Sequence, residues 1–215
     1  MKMTNLTMKI ALLAIGLTLS SLASTEARAA LTLTIDGPQE LTVGQSATYS
    51  VFGTSDNDDE VDFFAMLFTI SGDPGLAFSA TQSDDFLTNP DYVFFDRSGN
   101  VALGLPATTL AGGSLSIADF SDDQSAAPDV GLPDPFTLGV DSQLIGQFSV
   151  DAVSAGTFSI AIDPTSSFND LSFNLTPFSS TPLSVTAVPE PSSLLAMAGV
   201  AGGLAWRRRG KTQRA

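Results

Sequence analysis

Through the middle of the chain, hydrophobic and polar residues alternate with a period of two. Residues 31–35 (LTLTI) put Leu31, Leu33 and Ile35 on one face and two threonines on the other, the pattern of a strand with one buried side. Asp36-Gly37-Pro38 breaks it. A short segment and turn follow at 41–46, then a second strand at 47–53 (ATYSVFG). Residues 63–71 (FFAMLFTIS) form an apolar run of strand length, expected to be buried on both faces, and Gly72-Asp73-Pro74-Gly75 ends it in a turn. Further strands are predicted at 76–80, 91–95, 101–104 and 114–120, with loops or turns at 82–91 and 97–100. Alternation is clearest in 144–153 and 157–163, which flank Ser154-Ala155-Gly156. These two are expected to pair as a hairpin whose inward residues include Phe148, Val150, Phe158, Ile160 and Ile162. Residues 171–175 (LSFNL) and 183–187 (LSVTA) are expected to close the domain as strands.

No stretch between 30 and 188 carries a convincing helical period. Short strands with turn signals about every ten residues predict an all-β fold, an antiparallel β-sandwich. The ends of the chain are different. At the front, Lys2 and Lys9 precede an apolar run at 10–22, and Ala27-Arg28-Ala29 is a small-x-small site with Ala30 as the new N-terminus. This reads as a helical secretory signal over 1–29, cut by signal peptidase; its apolar run is short of the ~20 residues that span a bilayer. At the back, Val188-Pro189-Glu190-Pro191-Ser192-Ser193 leads into an apolar segment at 194–206 and then Arg207-Arg208-Arg209. That order predicts a short helical transmembrane segment with a cationic stop. The chain thus divides into 1–29, a sandwich over 30–187, and a terminal segment over 188–215.

Charge sharpens this division. Between 30 and 188 the only basic residue is Arg97, set against 21 acidic residues, so the domain carries a net charge of −20. Such a surface repels phosphate backbones and argues against nucleic-acid binding. There is no Cys and no His, which removes disulfides, thiolate sites, Ser-His-Asp and Cys-His arrangements and nearly all zinc sites. Hard-cation chemistry is left. Asp56, Asp58, Asp59, Glu60 and Asp62 offer oxygen ligands suited to Ca2+, though no Gly stands at the sixth position of an EF-hand loop. The same residues also read as a solvated acidic loop. Asp119, Asp122 and Asp123 form a second, sparser cluster. Paired carboxylates of the glycosidase kind carry no signal among so many acids.

Two resemblances add to this reading. Val43-Gly44 before the second strand, the long apolar third strand, and Gly146-Gln147-Phe148-Ser149-Val150 followed by Gly156-Thr157-Phe158-Ser159-Ile160 resemble the cohesin-type jelly-roll sandwiches over 31–187. That resemblance implies a domain related to protein-binding and carbohydrate-binding modules, and it transfers no site residue. Residues 188–209, with Val188, Pro189, Glu190 and Pro191, the apolar segment, and Arg207, Arg208 and Arg209, resemble the PEP-CTERM sorting signal of Gram-negative bacteria and cyanobacteria. It implies handling by exosortase, a membrane-embedded cysteine transpeptidase family, and a destination at the cell surface or in the extracellular matrix, often with exopolysaccharide and biofilm.

The expectation is therefore an exported, non-enzymatic protein, transiently anchored in the membrane, with structural or adhesive work toward exopolysaccharide or a surface protein. A carbohydrate-binding or carbohydrate-active protein and an acidic, calcium-coordinating matrix protein are the alternatives.

Overall fold

The computed structural model describes residues 31–72, 74–122 and 137–190. The signal and its cleavage site at Ala27, Ala29 and Ala30, together with Asp123, Pro191, the apolar segment 194–206 and Arg207 to Arg209, lie outside the described residues. Among the described residues the strands are β1 Leu31–Asp36, β2 Glu40–Thr42, β3 Ser46–Ser55, β4 Asp59–Glu60, β5 Phe63–Gly72, β6 Leu76–Phe78, β7 Thr108–Ala111, β8 Ser114–Phe120, β9 Thr137–Leu138, β10 Gln143–Ala152, β11 Gly156–Ile162, β12 Ser167–Asn169, β13 Phe178–Thr181 and β14 Leu183–Val188. One sheet runs β13-β1-β3-β10-β6. The other runs β2-β14-β11-β5-β8-β7, with β12 also paired to β5, and β4 and β9 make a small ladder of their own. The fold is an all-β sandwich.

The core lies where the inward residues of the two sheets meet. Leu31, Leu33 and Ile35 of β1, Tyr49 and Val51 of β3, and Phe148 and Val150 of β10 oppose Phe64, Met66 and Phe68 of β5, Leu115 and Ile117 of β8, and Phe158 and Ile160 of β11. Phe148 stacks on Tyr49 within its own sheet (5.7 Å) and packs against Phe68 of the other (4.7 Å). With no disulfide available, such rings hold the domain, each worth about 1.5–3 kcal/mol on full burial. Tyr49 also donates its hydroxyl to the Pro38 carbonyl (2.7 Å), and burial pushes its pKa up to about 12.

The two most regular strands do not form a hairpin. β10 pairs with β3 and β6, and β11 pairs with β14 and β5, in the opposite sheet. Residues 153–155 therefore bridge the sandwich as an arch, tied down by Val153 and Ser154 N–H groups donating to the Gly75 carbonyl (2.7 and 3.1 Å). Phe148, Val150, Phe158, Ile160 and Ile162 all point inward, as alternation requires, but from facing sheets. Nor is pairing wholly antiparallel: β1 runs parallel to β13, and β2 to β14. Both terminal segments cross from the first sheet to the second, one past Gly37-Pro38 and the other past Pro182, and they travel side by side. A proline has no N–H to give a ladder, so the crossings fall where pairing lapses.

Other expectations also change. β5 is not buried on both faces: Phe64, Met66 and Phe68 are buried while Phe63 is exposed and Leu67 half-buried. It reads as continuously apolar because it is flanked on both sides by strands. Residues 91–95 are turns, with one bridge between Tyr92 and Leu144, and 99–103 are a short helix, α1 (Gly99–Leu103), capped by the Ser98 side chain. Residues 171–175 are a surface loop; the strands of that region are β12 and β13.

Candidate functional site: a pinned loop, a divided cleft and the sorting segment

Residues 91–98 form a loop with an inside and an outside. Tyr92, Val93 and Phe94 are buried, with Phe94 stacked on Phe64 (5.7 Å) and Tyr92 edge-on to Phe86 (5.3 Å). The Val93 N–H donates to the Leu144 carbonyl (2.8 Å), and the Leu144 N–H to the Asp91 carbonyl (3.1 Å), which ties the loop to β10. Asp96 then takes a φ of +60°, unusual for a residue with a side chain. Phe95 and Asp96 are exposed at this turn, and the Arg97 carbonyl accepts from the Asp122 N–H (2.6 Å).

The loop is held from below by Asp119 of β8, which is 1% exposed. Its Oδ2 accepts from the Tyr92 hydroxyl (2.7 Å) and the Ser98 hydroxyl (2.6 Å). Its Oδ1 accepts from the Asn100 and Phe120 N–H groups (3.1 and 2.8 Å). Four donors around one carboxylate make a satisfied buried polar centre, costly to disturb. Burial first, then the Asp119 charge and hydrogen bond, drives the Tyr92 pKa far above its ordinary value, so that hydroxyl is a fixed donor.

Above this centre lie two adjoining cavities. One, of about 280 Å³, is lined by Leu87, Thr88, Phe95, Asp96, Arg97, Ser98, Val101, Ala102 and Asp122. The other, of about 360 Å³, is lined by residues 90–93, Phe95, Arg97 and residues 141–143. Phe95 and Arg97 belong to both, so they form the ridge of a divided cleft. The chemistry on offer is an aromatic face, one guanidinium, the carboxylates of Asp91, Asp96, Asp122 and Asp141, and the polar side chains of Thr88, Ser142 and Gln143. Sequence reasoning missed this site by reading 91–95 and 101–104 as strands. The available signal was Arg97 itself, a single cation in an acidic domain.

The predicted acidic ligands do not converge. Asp56 and Asp58 are exposed, Asp58 with φ +53°. Asp59 and Glu60 pair with β9, and the Asp59 carboxylate accepts from the Ser55 hydroxyl. Asp62 is buried, its N–H donating to the Asn169 carbonyl and its own carbonyl accepting from Ser121 N–H (both 2.8 Å). Among the described residues no three acidic side chains are grouped to hold a metal ion. Of the second cluster, Asp119 turns inward and Asp122 lines the cleft.

The sorting segment grows out of the last strand. β14 extends to Val188, the first residue of the Val188-Pro189-Glu190-Pro191 run. Ala187 is buried between Gly156 of β11 and Leu41 of β2, and Val188 pairs with Thr42. The Val43 N–H donates to the Val188 carbonyl (2.9 Å), and the Gly44 N–H of the same turn donates to Ala152 at the end of β10 (2.7 Å). β10 begins beside the cleft at Gln143 and finishes here at Ala152, a strand of ten residues. The cleft and the start of the sorting segment at Val188 therefore lie at opposite ends of β10, about 30 Å apart.

Residues 187–209 match the PEP-CTERM protein-sorting motif. No curated protein matches the chain. Among solved structures, the chain is similar to the cohesin module of a family 33 glycoside hydrolase from Clostridium perfringens, at 14% identity over 76% of this chain and 100% of that one, with a TM-score of 0.49. It is also similar to a type I cohesin–dockerin complex chain from Clostridium thermocellum (9% identity, 73% and 99% covered, TM-score 0.45). A CARDB domain from Pyrococcus furiosus, solved with di-metal ions, is a third (14% identity, 74% and 94% covered, TM-score 0.34). The motif carries the conclusion: this chain is an exosortase-sorted surface protein, exported and held transiently in the membrane before processing.

Proposed function

We propose that the exported domain is a non-catalytic adhesive protein of the cell surface or matrix, in a Gram-negative-type or cyanobacterial envelope, that grips uncharged stretches of exopolysaccharide in the divided cleft and so contributes to a biofilm. The observation that carries this is the Phe95–Arg97 ridge, set on a strained, pinned loop at the end of the sandwich away from Val188, where the sorting segment starts. An aromatic face stacks on the C–H face of a sugar ring, and a guanidinium and carboxylates on either side donate to and accept from its hydroxyls. The two cavities are near the lower end of the ~300–1,000 Å³ range of small-molecule sites, a size for short sugar segments on either side of Phe95. A net charge of −20 favours a neutral glycan over a polyanionic one.

Titration calorimetry of the mature domain against neutral and acidic matrix glycans tests this. Binding of a neutral glycan is expected, weakened tenfold or more, about 1.4 kcal/mol or beyond, in Phe95→Ala and Arg97→Ala. Equal binding by wild type and both variants, or no neutral-glycan binding, overturns the cleft as the site. Turnover of any glycan overturns the non-catalytic reading in favour of a carbohydrate-active protein.

A further inference from the structure

We propose that β2 and the turn after it form a clasp over the start of the sorting motif, and that this clasp must open before the processing enzyme engages the chain upstream of Pro189. The matched motif begins at residue 187, inside the sandwich. Thr186, Ala187 and Val188 pair with Glu40, Leu41 and Thr42; the Thr186 N–H also donates to the Gln39 carbonyl (2.8 Å), and the Val188 carbonyl accepts from Val43 N–H (2.9 Å). On the other edge, β11 pairs with β14 as far as Ala187. An enzyme that grips an extended peptide does so through main-chain hydrogen bonds. Here those groups are already taken, and Ala187 is 3% exposed.

The clasp is built to let go. β2 has three residues, pairs in parallel, and buries one side chain, Leu41. It lies between the break at Gly37-Pro38 and a turn in which Gly44 has φ +87°. β11, by contrast, contributes five antiparallel pairs to β14. Short, peripheral elements open locally while the core stays folded. Release of β2 leaves β14 paired to β11 and frees its outer edge, the form in which strand addition can occur.

This rests on the motif being processed, and the test separates the two ideas. Full-length precursor is followed in exosortase-bearing membranes by mass spectrometry of tail removal. The double variant Leu41→Ala, Val43→Pro removes the buried side chain of β2 and the N–H that holds the Val188 carbonyl while every motif residue stays in place, and it is expected to speed removal about tenfold or more, because a minor open state no longer limits access. Leu41→Ala alone is expected to speed it less, with circular dichroism unchanged in both. Removal at the native rate in both variants overturns the clasp while sorting stands. A tail retained in every form overturns both.

Discussion

Two loops on this sandwich use the same parts to different ends. Residues 91–98 and residues 170–175 each present an aromatic residue outward, each contain a residue with φ of +60° (Asp96 and Phe173), and each are organised by an aspartate that collects hydrogen-bond donors. In the first, the aspartate is Asp119, buried beneath the loop and contributed by a neighbouring strand. In the second it is Asp170, in the loop itself and in water, accepting from the Ser172 and Asn174 N–H groups (both 2.8 Å) and the Asn174 amide (2.7 Å). The local geometry is alike, but only the first loop is coupled to the core. A buried carboxylate must keep its donors, whereas an exposed one can exchange them for water. The cleft is therefore preorganised by the fold, and the 170–175 loop is shaped mainly by its own sequence.

The comparison breaks most visibly at Asp119. Asp119→Ala leaves two hydroxyls and two N–H groups without their acceptor and is expected to cost about 3–5 kcal/mol, read as a lowered urea midpoint. A change under about 1 kcal/mol would mean that the loop is not held from below. Tyr92→Phe removes one of the four donors and keeps the ring against Phe86 and Phe94. A hydrogen bond to a charged group is worth about 1.5–3 kcal/mol, and a loss toward the lower figure is expected, since Ser98 still serves the same oxygen.

These two loops also show where the sequence could be read. Both look like strands. Tyr92-Val93-Phe94-Phe95 is aromatic and β-branched, and Leu171, Phe173 and Leu175 alternate with polar residues. Alternation reports that a segment has two sides and leaves open what it pairs with. In 91–95 three successive buried residues are accommodated by turns. In 171–175 the Asp170 carboxylate captures backbone N–H groups that a ladder would need. The same ambiguity made β10 and β11 look like a hairpin: their inward faces are legible residue by residue, but sheet membership depends on contacts distant in sequence, such as Phe148 with Tyr49 and Phe158 with Val185. The sorting segment is legible because its chemistry is local and ordered along the chain. The cleft is not, because Phe95, Arg97, Asp122 and Gln143 meet only once the sheets are assembled.

Asp151 lies between the extremes and sharpens the comparison through pH. On β10, it accepts from the Ser46 hydroxyl of β3 and the Ser79 hydroxyl just beyond β6 (both 2.6 Å), and those two bonds lower its pKa. A depressed folded pKa adds stability that is fully present above the ordinary carboxylate value of 3.8 and is lost as pH falls through the lower folded value. Melting temperatures of wild type are therefore expected to fall more steeply below pH 4 than those of Asp151→Asn. Parallel slopes would remove Asp151 from the acid response.

The smallest effect is expected where the second loop is cut back. Phe173 is 80% exposed and Leu175 71%, so neither side chain supplies core burial. Phe173→Ser is expected to change stability by less than about 0.5 kcal/mol, the range of surface substitutions away from special features. Its backbone complicates this, because φ of +60° is unfavourable for any side chain, and Phe173→Gly would relieve that cost. The pair of variants separates the terms. Equal stability in Ser and Gly forms would show that Asp170 alone sets the turn. A Gly form more stable than wild type would mean that the loop stores strain as the cleft loop does at Asp96, with the exposed aromatic held there against a local cost. A Ser form that loses more than about 1 kcal/mol would show Phe173 packing on the sandwich and would end the contrast between the two loops.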